Sequence, residues 1–390
     1  MNEYLFIIPL FIAVAMGWLL GRRQNNKQPV QNTLQLEYFR GLDFLLSEKT
    51  DEAIDSFIRA LEINSDTIPA HIALAKLFRK KGDVERAIQI HQSLLARSDL
   101  SHDDFMRIQM ALALDYYAVG LLDRAENLLL EIRSQRPAAE VLESAAALLI
   151  KLYAKEKEWG QALEVAQQLS AHELQGLEVE LSHYCCELAE RYMAQQRYRH
   201  AISKLNKALS FDYRCIRANL LLADIAIKQE EWKKAIAALK QIAGQDSVFL
   251  SETIFRLRHC YRALNQPAEF ERLMKQWLNK YPSTSIMLAL ADIIVEQQGA
   301  YPAGAFITDQ LKKRPSLKGF NQLIDLYIAH AAKGTNESLM VLRGLTGQLE
   351  LSKPVYHCQQ CGFTGKLLHW QCPSCQNWGT TKPIHGLEGE

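Results

Sequence analysis

The chain of 390 residues carries 45 basic against 44 acidic side chains, and 48% of it is hydrophobic. A net charge of +1 sets up no field that would gather nucleic acid or an acidic substrate, and the length is ample for a large core or a long repeat array. Nucleic-acid binding is therefore disfavoured from the start.

The apolar excess at the N-terminus lies in one run, Tyr4 to Leu20, without a charged residue. At 1.5 Å per residue it covers roughly 26 Å, slightly under the ~30 Å of a bilayer core, and Tyr4 and Trp18 suit the interfaces. A cleaved signal peptide would carry its positive charge ahead of the run, whereas here Glu3 precedes it and Arg22 and Arg23 follow. The expectation is a single transmembrane anchor over 1–21, with everything after Arg22 in the cytoplasm. A reducing compartment agrees with unpaired thiols at Cys185, Cys186, Cys215 and Cys260. Residues 22–34 are polar and contain Pro29, which reads as a cytoplasmic tether.

Beyond the tether the sequence repeats. Ala53 and Ala87 lie 34 residues apart, and Ala125, Ala162, Ala201, Ala235, Phe270 and Ala303 continue at intervals of 33 to 39. That is the period of a tetratricopeptide helix pair. Small residues such as Gly41, Ala75, Ala113, Ala189, Ala223 and Ala291 precede the marker by twelve, where two helices must approach closely. Phe44, Tyr116, Tyr153, Tyr192 and Tyr261 precede it by nine and fill the gap behind, while Pro137, Pro282 and Pro315 follow it by twelve and stop the second helix. Eight units are expected over about 37–315, and a ninth, weaker pair around Tyr327 and 338–345, giving a solenoid over 35–350 that buries its faces only between neighbours. Longer intervals between the third, fourth and fifth units predict extended turns, including His172 to Gly176, where the stack bends or loosens.

Chemistry-bearing residues inside the array are few. No glycine-rich phosphate loop, G-x-S-x-G elbow or H-E-x-x-H helix occurs, so the chain does not read as an enzyme. His91, His183 and His330 each stand alone in helical patterns and read as partnered core or surface residues. Cys185 and Cys186 point about 100° apart on a helix and read as core.

The last 40 residues, 351–390, form a different kind of segment. Cys358-x-x-Cys361 is followed by Cys372-x-x-Cys375, and two such pairs carried on tight turns make a four-thiolate metal site open to zinc or iron. Gly362 and Pro373 suit a backbone that bends sharply enough to aim N–H groups at the sulfurs. A pair of disulfides or a redox dithiol are the competing readings of the spacing. So small a domain builds no core of its own, so metal binding supplies its folding free energy. Tyr356, Phe363, Trp370 and Trp378 are left to wrap the site or to dock it elsewhere, and the short link from Leu351 to Pro354 predicts that the tail folds back on the array. Residues 353–390 hold three lysines and no arginine, which is no phosphate-binding footprint. The fold class expected is all-α: a tetratricopeptide-repeat solenoid with an N-terminal transmembrane helix and a four-cysteine rubredoxin-like or zinc-ribbon domain.

The tail motif Ser352-Lys353-Pro354-x-Tyr356-x-Cys358-x-x-Cys361-Gly362-Phe363, with Trp370-x-Cys372-Pro373-Ser374-Cys375-x-x-Trp378 and Lys382-Pro383-Ile384-x-Gly386-Leu387, resembles the lipopolysaccharide assembly protein B family. The resemblance extends to Gly21-Arg22-Arg23 after the anchor and, in the array, to 86–92, 290–294 and 337–343. It implies an adaptor at the cytoplasmic face of a Gram-negative inner membrane. Such an adaptor acts with the FtsH protease to promote degradation of the LpxC deacetylase, alongside other lipopolysaccharide synthesis, transport and regulatory proteins. It also implies that Cys358, Cys361, Cys372 and Cys375 hold the metal. A general scaffold for lipopolysaccharide proteins and an iron redox module are the alternatives, and a homodimer is compatible with the array.

Overall fold

The computed structural model describes Met16, Trp18 and residues 28–63, 67–135, 137–170, 172–330, 337–387 and 389. The run expected to form the anchor lies outside these residues apart from Met16 and Trp18; among the described residues no helix is long and apolar enough to cross a membrane. The chain divides into two compact units at Leu169 and Ser170, beside the turn at 172–176 where the sequence predicts loosening.

The first unit holds α1 (Gln28–Leu46), α2 (Thr50–Ile63), α3 (Ile68–Lys81), α4 (Val84–Leu95), α5 (His102–Val119), α6 (Leu122–Ser134), α7 (Ala139–Lys155) and α8 (Trp159–Gln167). The second holds α9 (Glu178–Ala194), α10 (Tyr198–Phe211), α11 (Ile216–Lys228), α12 (Trp232–Gln245), α13 (Ser251–Ala263), α14 (Pro267–Lys280), α15 (Thr284–Gln298), α16 (Ala300–Lys313), α17 (Leu317–His330) and α18 (Glu337–Ser352). A 3-10 turn at Ser247–Leu250 precedes α13. One correction concerns the tether: α1 begins at Gln28, so the polar stretch through residue 34 is helical over its second half. Pro29 sits in the first turn, where its missing N–H costs nothing.

The repeat markers do what their size dictates. Ala53, Ala87, Ala125, Ala162, Ala201, Ala235 and Ala303 are fully buried, and Phe270 is nearly so. At Gly41 any side chain would collide, since an added Cβ would lie 2.9 Å from the Phe57 ring. Helices α6, α14 and α16 end two or three residues before Pro137, Pro282 and Pro315. Within each unit a helix packs on its successor. First helices of consecutive pairs also meet, as α3 with α5, α9 with α11, and α13 with α15.

These inter-pair contacts carry ion pairs. In the first unit Arg79 Nη1 lies 2.5 Å from Asp115 Oδ1, and the other oxygen of this fully buried carboxylate lies 2.5 Å from His91 Nδ1. In the second, Arg217 reaches Glu187 at 2.8 Å and Glu190 at 2.9 Å, Arg256 reaches Asp224 at 2.7 Å, and Arg258 reaches Asp292 at 2.7 Å. Arg217 is buried, so deleting its partners would strand a charge at a cost of about 3–5 kcal/mol.

Five of the turns inside pairs have a feature without a glycine signature. Glu48, Lys157, Gln196, Glu230 and Asn265 all adopt φ between 55° and 61°, in the places where Gly82 and Gly120 serve the second and third pairs. All seven stand five residues ahead of the repeat marker. The left-handed conformation costs a non-glycine residue about 1–2 kcal/mol, which the packing of the two helices offsets.

Candidate metal centre and its seat on the helix array

The ribbon is a three-stranded antiparallel sheet of order β2-β1-β3, with β1 at Tyr356–Cys358, β2 at Thr364–Gly365 and β3 at Thr381–Pro383. Strand β1 delivers Cys358 and pairs it opposite Thr381. The chain then turns back through Gly362, whose N–H donates to Cys358 O at 3.0 Å while Cys358 N donates to Phe363 O at 2.7 Å. The second pair repeats this pattern. Gln376 N donates to Cys372 O at 2.8 Å and Cys372 N to Asn377 O at 2.9 Å. The residue after each closing cysteine has positive φ, 76° at Gly362 and 59° at Gln376. The sequence marks only the first of these with glycine.

The two knuckles bring all four sulfurs within 4.8 Å of one another, the Cys358–Cys375 pair at 3.7 Å and the Cys361–Cys372 pair at 3.6 Å. A disulfide needs about 2.0 Å, so the cysteines are not paired that way. A tetrahedron with metal–sulfur bonds of about 2.3 Å has edges of about 3.8 Å, close to both separations. The donor set therefore fits a closed tetrathiolate site for zinc or iron, with no fifth ligand in the cluster among the described residues. Cys358 and Cys372 are buried and Cys361 is exposed.

Hydrogen bonds prepare the sulfurs for charge. The Thr380 hydroxyl, 3.2 Å from Cys358 Sγ, holds that thiol down to about 6, helped by the N–H groups of Cys361 and Gln360. The Phe363 N–H lowers Cys361. Cys375, although the Asn377 N–H reaches it, is pushed up to about 11 by burial and by the sulfurs around it. Four thiols this close cannot all ionise without a cation among them, and a bound divalent ion removes that conflict.

The ribbon is seated on the second unit by its aromatics. Trp378 stacks on His183 of α9 with ring centroids 5.1 Å apart and meets Tyr184 edge-on at 5.9 Å. Trp370 stacks on Phe249 of the 3-10 turn at 5.8 Å. Two polar ties flank them, Tyr356 Oη donating to Glu252 at 2.6 Å and Lys382 Nζ to Asp246 at 2.7 Å. Phe363 instead stays on the ribbon beside His369. His183 is 4% exposed, and its burial, with Arg217 nearby, holds its imidazole down to about 3. It is thus a neutral platform for an indole.

The other sequence candidates lie elsewhere. Cys185, Cys186, Cys215 and Cys260 are buried in the helix array, with Cys186 and Cys215 sulfurs 3.8 Å apart. Burial pushes Cys185 up to about 12, so it is an inert core thiol. His91 finds its partner in Asp115, and His330 Nδ1 lies 3.0 Å from Leu326 O. Residues of the seat, Asp246, Phe249 and Glu252, are invisible to motif reading. The one available signal is the apolar pair Phe249-Leu250, which falls outside the repeat pattern.

The rubredoxin metal binding domain family matches residues 356–383, and tetratricopeptide repeat families match 70–102 and 186–247. Lipopolysaccharide assembly protein B of Escherichia coli (strain K12) is 37% identical over 392 residues, covering 100% of both chains. Lipopolysaccharide assembly protein B of Haemophilus influenzae (strain ATCC 51907 / DSM 11121 / KW20 / Rd) is 34% identical over 399 residues, again covering 100% of both. With likeness running through array and ribbon alike, the chain belongs to the lipopolysaccharide assembly protein B family.

Proposed function

We propose that this protein is a membrane-anchored, non-enzymatic adaptor that limits lipopolysaccharide synthesis by bringing the LpxC deacetylase to the FtsH protease. The observation that supports this reading is the fastening of the ribbon onto the repeats of the second unit by Trp370 and Trp378. Repeat arrays present extended binding faces, and a closed four-thiolate site offers no open position for a substrate. The chemistry available is therefore recognition. The run Tyr4 to Leu20 would confine the array to the membrane where the protease works, raising the effective concentration of one partner for the other. The ion held by Cys358, Cys361, Cys372 and Cys375 would be structural.

The test is the lifetime of the deacetylase after protein synthesis is stopped. Cells lacking this protein should retain the deacetylase longer. The full chain should restore turnover, and a version without residues 1–21 should restore it poorly. An unchanged lifetime in its absence would refute the adaptor reading in favour of a general scaffold. A reporter fused after Glu390 should behave as cytoplasmic, and periplasmic activity would refute the topology.

A further inference from the structure

Three open cavities adjoin along one edge of the second unit. The central one, about 570 Å³, is walled by Leu311, Phe320, Leu349 and Leu387, with Lys353 in its wall. It shares Pro315 and Leu387 with a cavity of about 510 Å³ that carries Lys313, Arg314 and His385. Through Lys353 it adjoins a third, of about 380 Å³, that carries Arg343, Lys366 and Glu350. The result is a seam between the last helices and the C-terminal residues, apolar in the middle and cationic at both ends. Its apolar centre is open to solvent: Phe320 is 41% exposed, Leu349 54% and Leu387 62%, and α18 has no buried residue. Some of the charge is already committed. Arg343 pairs with Asp325 at 2.7 Å, and Glu350 accepts from Asn321 at 2.5 Å. Lys313 and Lys366 are exposed at opposite ends.

A patch of large apolar side chains rimmed by charge marks an interaction site, and its volume is in the range of ligand-binding clefts. The two-ended charge selects the occupant. A single lipid carries its anionic group at one end of its chains, so it would meet one cationic end and leave the other facing nothing. A linear peptide can place acidic residues on both sides of an apolar stretch. We propose that this seam binds an extended segment of a partner protein whose apolar residues fill the central cavity and whose acidic flanks meet Lys313 and Lys366. The role of that partner as the delivered protein rests on the adaptor reading; the binding itself does not.

The experiment uses the full chain in detergent and two fluorescent peptides. Both have the same leucine and phenylalanine centre, one flanked by glutamates and the other by lysines, and binding is read by fluorescence anisotropy. The glutamate-flanked peptide should bind and the lysine-flanked one should not. Lys313→Glu combined with Lys366→Glu should weaken the first about tenfold, steepest at low salt, and admit the second. Leu387→Asp should weaken binding on a residue too exposed to disturb the fold, which circular dichroism and metal content check. Equal binding of the two peptides, or no effect of Leu387→Asp, overturns the proposal. So does a concentration-dependent dimer lost on Leu387→Asp without peptide binding, which would assign the seam to a second copy. Displacement of the peptide by phosphatidylglycerol added in mixed micelles, with no preference between the two flanks, would assign it to lipid and likewise overturn it. Failed peptide binding with normal deacetylase turnover sinks the seam alone. Normal deacetylase lifetime in cells without this protein, beside intact peptide binding, sinks the adaptor reading alone.

Discussion

Replacing Trp378 by alanine separates the seat of the ribbon from its metal, because the indole lies 8% exposed against His183 and Tyr184 while all four sulfurs are untouched. Truncating a buried tryptophan costs about 3–5 kcal/mol. The ties from Tyr356 and Lys382 are a lesser reserve. Lys382 and Asp246 retain 26% and 22% side-chain exposure, and pairs that wet contribute about 1 kcal/mol or less. The indole therefore outweighs both polar ties and shares the docking with Trp370 on Phe249. If about 3 kcal/mol of docking is lost, opening of the seat becomes on the order of a hundredfold more frequent. Amide exchange measured by mass spectrometry should quicken by that order at 179–184 and 247–254, with metal content unchanged. Unaltered protection there would refute the assignment of the indole as the anchor. So would equal loss at 28–169, which would signal general unfolding rather than undocking.

Further outcomes follow from other features. Cys372→Ser removes one thiolate from the closed shell, so the purified protein should lose its metal and the ribbon its fold, while helical circular dichroism persists; retention of a stoichiometric ion would show that three sulfurs suffice. His183 has its folded pKa depressed from 6.5 to about 3, so the unfolded state binds the extra proton and stability falls as pH drops below 6.5. At pH 5 the loss should be about 2 kcal/mol by denaturant titration and absent in His183→Asn; equal pH slopes in both proteins would contradict it. Ala87→Leu should overpack a fully buried contact by about 1–3 kcal/mol and quicken exchange first around 70–110, whereas uniform loss of protection would contradict nearest-neighbour stacking.

The repeat markers were legible because each is forced by volume: alanine where helices touch, and proline where the second helix must stop. The knuckles were legible because metal geometry fixes cysteine spacing. The left-handed turns at Glu48, Lys157, Gln196 and Glu230 were not legible, since these residues carry no conformational signature and neighbouring helices impose the backbone. Gln376 hid the second knuckle turn for the same reason. The seat was hidden for another reason, because Asp246, Phe249 and Glu252 gain their roles only from residues over a hundred positions away. Helical onset at Gln28 was missed because polarity and a proline read as tether, although proline is well tolerated in a first turn.

That remoteness has a consequence during synthesis. Lys382 follows Asp246 by 136 residues. At roughly 5–20 residues per second, the array around the 3-10 turn waits about 7–27 s before the ribbon that covers it exists. For that interval Phe249 and the face of His183 are open, and the ribbon that closes them would itself need an ion to fold. A cell short of the metal would thus accumulate chains with formed helices and a bare aromatic patch, a state prone to association. Metal supply would then govern the yield of this protein as much as its stability.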